Sequence, residues 1–306
     1  MSTPTSTPST PVWLITGCTS GFGRSIAFEA LRRGHHVIAT ARTSSRLSEL
    51  QAAGAVVMDL DVTSPDEKLS TKMAEANAVY GKITHVANCA GYILEGGVEE
   101  ASAKEVFDQF NTNVLGTFNV ARAVVRYLRD AAAGGEQQVA LANFGSLGSW
   151  SSSAGVAHYC STKFAVSGLT EGLAEELKPF GIDVCVIEPG YTQTRFLARG
   201  GSGSGGPGDH RVVTERRIAV YEGTVVAVAR EALETYNGNQ PGDVEKSAKV
   251  IVDVLTKRGV AEGREIPVRL ALGTDTLEVI RKKCMDTLRL IGEWEEVSKL
   301  TMRDGN

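Results

Sequence analysis

A chain of 306 residues and 32.5 kDa, 42 % hydrophobic and 6 % aromatic, has enough apolar material for one large α/β domain or two small ones. Its formal net charge of −4 argues against broad binding to nucleic acid or an anionic membrane, and no apolar run has the length of a membrane span. Five cysteines (Cys18, Cys89, Cys160, Cys185, Cys284) lack CxxC pairing or metal spacing, so they predict small buried thiols, no metal site and a reducing, by default cytoplasmic, location.

Residues 1–11 are rich in Ser, Thr and Pro, without the basic start and apolar centre of a signal peptide, and read as a disordered tail. The apolar run Val12–Thr16 predicts a strand. It leads into a turn containing Gly17, Ser20, Gly21, Phe22 and Gly23, and then into an amphipathic helix from Arg24 to Arg33 that stops at Gly34. Strand, glycine-rich turn and helix is the arrangement that brings backbone N–H groups and a helix N-terminus to a diphosphate. The spacing is GxxxGxG. A second strand, His36–Thr40, ends in Ala41-Arg42, where an NAD site would place an acidic residue for the ribose 2′-hydroxyl. A guanidinium there can pair a 2′-phosphate, so NADP(H) is favoured over NAD(H).

The third strand, Ala55–Leu60, is followed by Asp61, an acceptor for an adenine amino group, with Asp59 as its rival on the same face. Pro65 opens a helix to about Tyr80, and a fourth strand, Ile83–Asn88, ends in Asn88-Cys89-Ala90-Gly91. Small residues there let the backbone approach a cofactor, which adds Asn88 and Gly91 to the binding set. The apolar stretch Tyr92-Ile93-Leu94 is placed to touch substrate. A helix from about Ser102 contains Asn113, whose amide competes for backbone hydrogen bonds and so predicts a local distortion, a bound water or an ordinary buried amide.

A fifth strand, Val139–Phe144, delivers Ser146. Tyr159 lies thirteen residues on, and Lys163 four beyond that. On a helix the last two share a face, and an ammonium beside a phenol lowers its pKa. With the Ser146 hydroxyl on the same substrate oxygen, this makes an acid/base site without histidine or metal. Leu169, Leu173 and Leu177 continue the helix as a buried stripe, and Ile182–Ile187 is a strand buried on both faces. Pro189-Gly190, Thr192 and Thr194 follow, where cofactor amide groups could be read. Residues 195–242, with the run Gly200–Gly208 at their centre, read as a flexible substrate lid. A helix Val244–Lys257, a strand Ile266–Leu270 and a last helix opening near Asp275, with Glu278 as its capping partner, complete the chain, the 273–306 stretch forming a C-terminal helix and tail. Its stripe of Leu277, Ile280, Cys284, Leu288 and Ile291 must pack either on the domain or on a second subunit.

Together these motifs resemble the short-chain dehydrogenase/reductase family over about residues 12–195. Thr16-Gly17 with Gly21 and Gly23 is similar to its TGxxxGxG, and Asn88-Cys89-Ala90-Gly91 to its NNAG with Cys89 in place of an Asn. Asn113, Ser146, Tyr159 and Lys163 match its catalytic positions, and Pro189-Gly190 with Thr194 its PGxxxT. The resemblance implies a single Rossmann-type domain, a doubly wound parallel sheet over residues 12–306, and carbonyl/alcohol interconversion with NAD(P)(H). It makes Tyr159 the proton donor and Ser146 the residue that orients the carbonyl. Lys163 would bind the nicotinamide ribose and lower the Tyr159 pKa, and Asn113 would hold a relay water. The glycine-rich insert and long C-terminal region resemble fungal members, some of which serve secondary metabolism. The expected activity is an NADP(H)-dependent ketone reductase or alcohol dehydrogenase acting on a mostly apolar small molecule, as a homodimer or homotetramer. The alternatives are an idle cofactor-sensing protein on the same fold and a cofactor-retaining epimerase or dehydratase.

Overall fold

The computed structural model describes residues 9–198 and 210–303. The glycine-rich run and most of the N-terminal tract therefore lie outside the described residues.

Strand β1 (Val12–Thr16) has every side chain buried, as a central parallel strand requires. Helix α1 (Gly21–Arg32) follows, starting earlier than the sequence suggests. Gly21 takes φ +55° and ends the turn, so the helix begins directly at its close. Then come β2 (His36–Ala41), the short α2 (Ser48–Ala52), β3 (Val56–Asp59), α3 (Asp66–Tyr80), β4 (His85–Asn88) and β5 (Ile93–Glu95). Helix α4 (Ala103–Phe110) carries a capping box between Ser102 and Glu105. It passes through a π-helical turn at Asn111–Gly116 into α5 (Thr117–Ala133), so the distortion expected at Asn113 is a π-bulge.

Strand β6 (Ala140–Phe144), α6 (Ala157–Leu177), β7 (Asp183–Pro189) and the two-residue β8 (Thr192–Gln193) follow. Next are β9 (Arg211–Val213), α7 (Val225–Tyr236), β10 (Gly242–Asp243), α8 (Val244–Leu255), β11 (Arg269–Leu272) and α9 (Thr274–Lys299). Seven strands form one parallel sheet in the order β11-β7-β6-β4-β1-β2-β3. The chain winds away from β1 in both directions, so the carboxyl ends of β1 and β4 open a crevice at the point where the order reverses.

Alternation along each strand feeds a core on each face of the sheet. Trp13 and Ile15 pack with Ile26 of α1 and Ile251 and Leu255 of α8. Val12 and Leu14 face the other way, onto Leu69 and Met73 of α3 and Val120 and Val124 of α5. The domain thus has helices on both faces.

Three expectations are corrected. The last sheet strand starts at Arg269, because Pro267 cannot donate to a ladder. Asp275 does not cap α9: Gly273 is the N-cap, and the Asp275 carboxylate accepts instead from the Tyr191 N–H (2.7 Å), tying α9 to the loop after β7. Cys284, expected to be buried, is exposed.

The described part of the 195–242 segment makes defined contacts with the body of the domain. Strand β9 pairs in parallel with β5. Beneath it Arg211 meets Glu95 (2.5 Å), both fully buried, and Arg230 of α7 pairs with buried Glu100. Glu100 also accepts the N–H groups of Gly97 (2.7 Å) and Ile218 (3.0 Å). Glu95 Oε1 and the Arg230 Nε and Nη1 have no hydrogen bond, so the clamp rests on the Arg211–Glu95 and Arg230–Glu100 pairs and on the two N–H groups that Glu100 accepts.

Candidate active site

The glycine turn after β1 is shaped by close approach. A Cβ on Gly17, whose φ is +70°, would lie 2.9 Å from the Ala90 nitrogen. One on Gly23 would lie 2.6 Å from the Gly17 carbonyl oxygen. The Thr16 hydroxyl accepts from the N–H groups of Cys89 (3.0 Å) and Ala90 (3.2 Å), which locks the β4 loop against this turn. Ser20 is the N-cap of α1 but makes no side-chain cap, and the first turn of α1 carries no acidic residue. The helix therefore presents uncapped N–H groups and a positive dipole end to the crevice. Phe22 packs on Phe144 at 5.1 Å between centroids and closes its floor.

Three catalytic candidates converge across the crevice from this turn. Ser146, just past β6, caps a short 3₁₀ turn by accepting the Gly148 N–H (3.1 Å), so its hydroxyl proton is left to donate. The Ser149 hydroxyl donates to the Lys163 carbonyl (3.0 Å), tying this turn to α6. Tyr159 and Lys163 are both buried on the face of α6 that meets the crevice. The Lys163 Nζ donates to the Phe144 carbonyl (2.7 Å), its one hydrogen bond among the described residues, leaving two N–H donors unused in a buried position. A buried ammonium with spare donors fits a hydroxyl-rich ligand such as a ribose.

Burial pushes the Tyr159 phenol well above its usual range, and the Ser146 hydrogen bond only partly opposes this. Lys163 does not bring it down. Its Nζ sits 5.7 Å from the centre of the Tyr159 ring, turned to the Phe144 carbonyl. The expected lowering by the ammonium is thus overridden by desolvation in this structure. Burial in turn lowers Lys163 to about 8.

Asn113, in the π-bulge, accepts from the Tyr92 N–H (3.0 Å) and donates to the Tyr92 carbonyl (2.8 Å) and the Thr162 hydroxyl (3.1 Å). Its amide is spent on holding the loop that carries Ile93, so any water it serves would meet its backbone. A Cβ on Gly91 would lie 3.2 Å from the Asn113 Oδ1, a tight contact, and 3.9 Å from the Lys163 Nζ.

Of the cofactor candidates, Gly17, Ser20, Gly21, Phe22, Gly23, Gly91, Thr192 and Thr194 border the crevice with the three catalytic candidates. The Asn88 side chain does not. It is buried and donates to Asn143 Oδ1 (2.9 Å), bridging β4 to β6, and Cys89 takes the crevice position. Arg42 is exposed at the end of β2 and has no ion pair among the described residues. Asp61 accepts from the Thr63 N–H (3.0 Å) and hydroxyl (2.7 Å), a local turn, while Asp59 accepts the Ser44 N–H (2.6 Å). Arg42 and Asp61 lie outside the crevice, towards the β2–β3 edge of the sheet.

Sequence reasoning missed two features. His210, at the start of the β9 segment, reaches over the crevice so that its Nε2 lies 2.6 Å from the Ser20 hydroxyl. Behind Ser146, fully buried Glu188 accepts from the Trp150 indole (2.8 Å), the Ser167 hydroxyl (2.9 Å) and Arg269, whose guanidinium stacks on Trp150 at 3.8 Å. This network binds β7, β11, α6 and the Ser146 turn into one unit. Neither feature has a spacing signal in the sequence. The mouth of the crevice is apolar, with Ile93, Val156, Phe196 and Leu233 facing Tyr159 and Tyr191.

The family model described as short chain dehydrogenase matches residues 11–203. The oxidoreductase BOA17 of Botryotinia fuckeliana is 32 % identical over 293 residues, covering 94 % of this chain and 98 % of that one. The oxidoreductase calM of Penicillium decumbens is 31 % identical over 301 residues, covering 95 % and 92 % respectively. Among solved structures, a short-chain dehydrogenase from Streptomyces avermitilis superposes with a TM-score of 0.81 at 33 % identity, covering 97 % of this chain and all of that one.

Proposed function

The chain belongs to the short-chain dehydrogenase family, an oxidoreductase family that works with nicotinamide cofactors, and we propose that it interconverts a ketone or aldehyde and an alcohol on a mostly apolar small molecule with NADP(H). The observation that carries this reading is the convergence of Ser146, Tyr159 and Lys163 on one crevice, opposite a glycine turn at a helix N-terminus.

The uncapped first turn of α1 suits a diphosphate, and the two unused donors of Lys163 suit a ribose diol. The bound cofactor supplies or accepts a hydride. The protein's own groups do the rest. The Ser146 hydroxyl, fixed by Gly148, donates to the substrate oxygen and orients it. Burial keeps the Tyr159 phenol protonated at neutral pH, so it can hand its proton to the same oxygen as charge develops there. Lys163, still largely protonated near neutral pH, adds positive charge behind the phenol. Asn113 positions Tyr92 and Ile93 against the substrate.

NADP(H) is favoured by Arg42, which stands uncommitted at the end of β2 where no acidic side chain occupies the neighbouring chain positions. The apolar mouth favours a substrate with little charge, and the fungal origin of two oxidoreductases among the relatives supports the resemblance to fungal members of the family. Free thiols, three of them buried, suit a cytoplasmic location, and no helix among the described residues is long and apolar enough to cross a membrane. The test is NADPH oxidation by the purified chain against a broad panel of apolar ketones, read at 340 nm. Net consumption with at least one ketone is expected. Substrate conversion with none would instead identify a cofactor-retaining epimerase or dehydratase.

A further inference from the structure

Helix α9 leaves the domain after Ile280. Every residue from 281 to 299 except Asp286 is exposed, a length of about 28 Å at the usual helical rise. The stripe of Leu277, Ile280, Cys284, Leu288 and Ile291 has nothing packed on it over most of its length: Leu288 is 68 % exposed, and Trp294, one turn beyond Ile291, is 58 % exposed. Most helical stability in proteins comes from packing an apolar face, and a contiguous exposed apolar stripe marks a contact surface.

The charges say what covers it. From Leu277 to Arg289 four cations (Arg281, Lys282, Lys283, Arg289) outnumber Glu278 and Asp286. From Leu290 to Lys299 three anions (Glu293, Glu295, Glu296) outnumber Lys299. Asp275 in the first turn and Lys299 in the last suit the helix dipole, so the basic block at 281–289 and the acidic block at 293–296 lie in the body of the helix, where the dipole does not dictate their order. Of the intrahelical i,i+4 pairs, Lys282–Asp286 and Arg289–Glu293 run with the cation first, the weaker orientation, and Glu295–Lys299 with the anion first. The exposed part of the helix therefore carries two blocks of opposite sign. Laid antiparallel against an identical helix, it presents its basic half to the partner's acidic half at both ends, with the apolar stripes between them. A parallel pair would oppose like charges, and an anionic membrane would repel the acidic half.

We infer that α9 pairs antiparallel with α9 of a second copy of this chain, and that this contact builds the oligomer. The contact is independent of the catalytic reading.

The test uses the full chain and two charge-reversed variants: Arg281→Glu with Lys283→Glu, and Glu293→Lys with Glu295→Lys. All four positions are exposed, so the melting temperature of the domain reports that folding is unchanged. Sedimentation velocity on wild type at micromolar concentration should give at least a dimer, and each variant alone should show half the wild-type mass. Mixing the two variants should restore that mass, because the acidic half-helix of one then meets the basic half-helix of the other. A monomeric wild type, variants that keep the wild-type mass, or a mixture that stays dissociated would each overturn the inference. So would co-sedimentation of a monomeric wild type with phosphatidylserine vesicles, which would assign the stripe to a lipid surface.

Discussion

Replacing Arg211 with methionine is expected to free the segment that covers the crevice. Arg211 and Glu95 have no exposed side-chain surface, and Nε and Nη2 of Arg211 both meet the same Glu95 oxygen, at 2.6 and 2.5 Å. The Arg211 Nη1 also donates to the Leu197 carbonyl (3.2 Å), tying β9 to the segment after Thr194. Methionine keeps the apolar volume but strands the Glu95 carboxylate, whose second oxygen has no hydrogen bond and only Arg230 within reach, at 4.0 Å. Breaking a buried pair from one side costs about 3–5 kcal/mol, and the nearby Arg230 places this case near the lower figure. Spread over the whole fold, about 3 kcal/mol would lower Tm by roughly 5 °C. Because β9 joins the body through the two-stranded pairing with β5, the loss should be largely local. Hydrogen exchange should rise over 93–97 and 211–236, with a Tm drop smaller than the global figure. Adding Glu95→Gln should recover part of the loss, since the stranded charge is then gone. Unchanged exchange in these segments, or a double variant whose losses simply add, would refute the clamp.

Arg42→Asp should weaken NADPH by about 10- to 100-fold, the value of one charge-assisted contact, and NADH far less; equal effects on the two, measured by fluorescence titration, would remove the 2′-phosphate argument. Gly23→Ala should abolish cofactor binding, because its Cβ would sit 2.6 Å from the Gly17 carbonyl. Gly172→Ala, in open space on α6, should stabilise the chain by about 0.5–1 kcal/mol; calorimetry and the same titration check both. Burial lowers Lys163 from 10.5 to about 8, so between those values the unfolded chain binds a proton that the folded chain does not. Its cost is fully present below pH 8 and is relieved as pH rises. Denaturant unfolding should therefore show wild type gaining stability relative to Lys163→Met between pH 7 and pH 9.5, and a constant difference would contradict the burial of that ammonium.

The central strands were legible because a parallel strand buried on both faces is a near-continuous apolar run, as in Val12–Thr16 and Ile182–Ile187. The distortion at Asn113 could be read from the poor fit of an amide in a helix interior. The site itself was legible where chemistry demands a fixed spacing along one element, as between Tyr159 and Lys163. It was not legible where the partner comes from far along the chain. Glu95 and Arg211 are 116 residues apart, and Ser20 and His210 are 190 apart. No local periodicity records such pairs. Asp275 shows the same override: its sequence context marks a helix cap, but the Tyr191 N–H, presented by another loop, claims the carboxylate. Asn88 is a milder case, since the sequence places it at the end of β4 while its side chain is taken by Asn143 in the neighbouring strand. The lowering of the Tyr159 pKa failed for an electrostatic reason, because spacing along a helix says nothing about the depth of burial.

The most direct measurement is on Tyr159→Phe, with turnover and NADPH affinity determined on the same preparation. The phenol oxygen is the only atom removed, and the ring keeps its contact with Phe196 at 5.7 Å. Loss of the general acid should lower kcat for ketone reduction by about 100-fold or more. The Kd for NADPH should stay within about twofold, because Lys163 and the glycine turn remain in place. Turnover equal to that of wild type would show that the proton comes from elsewhere and would contradict the account at its centre.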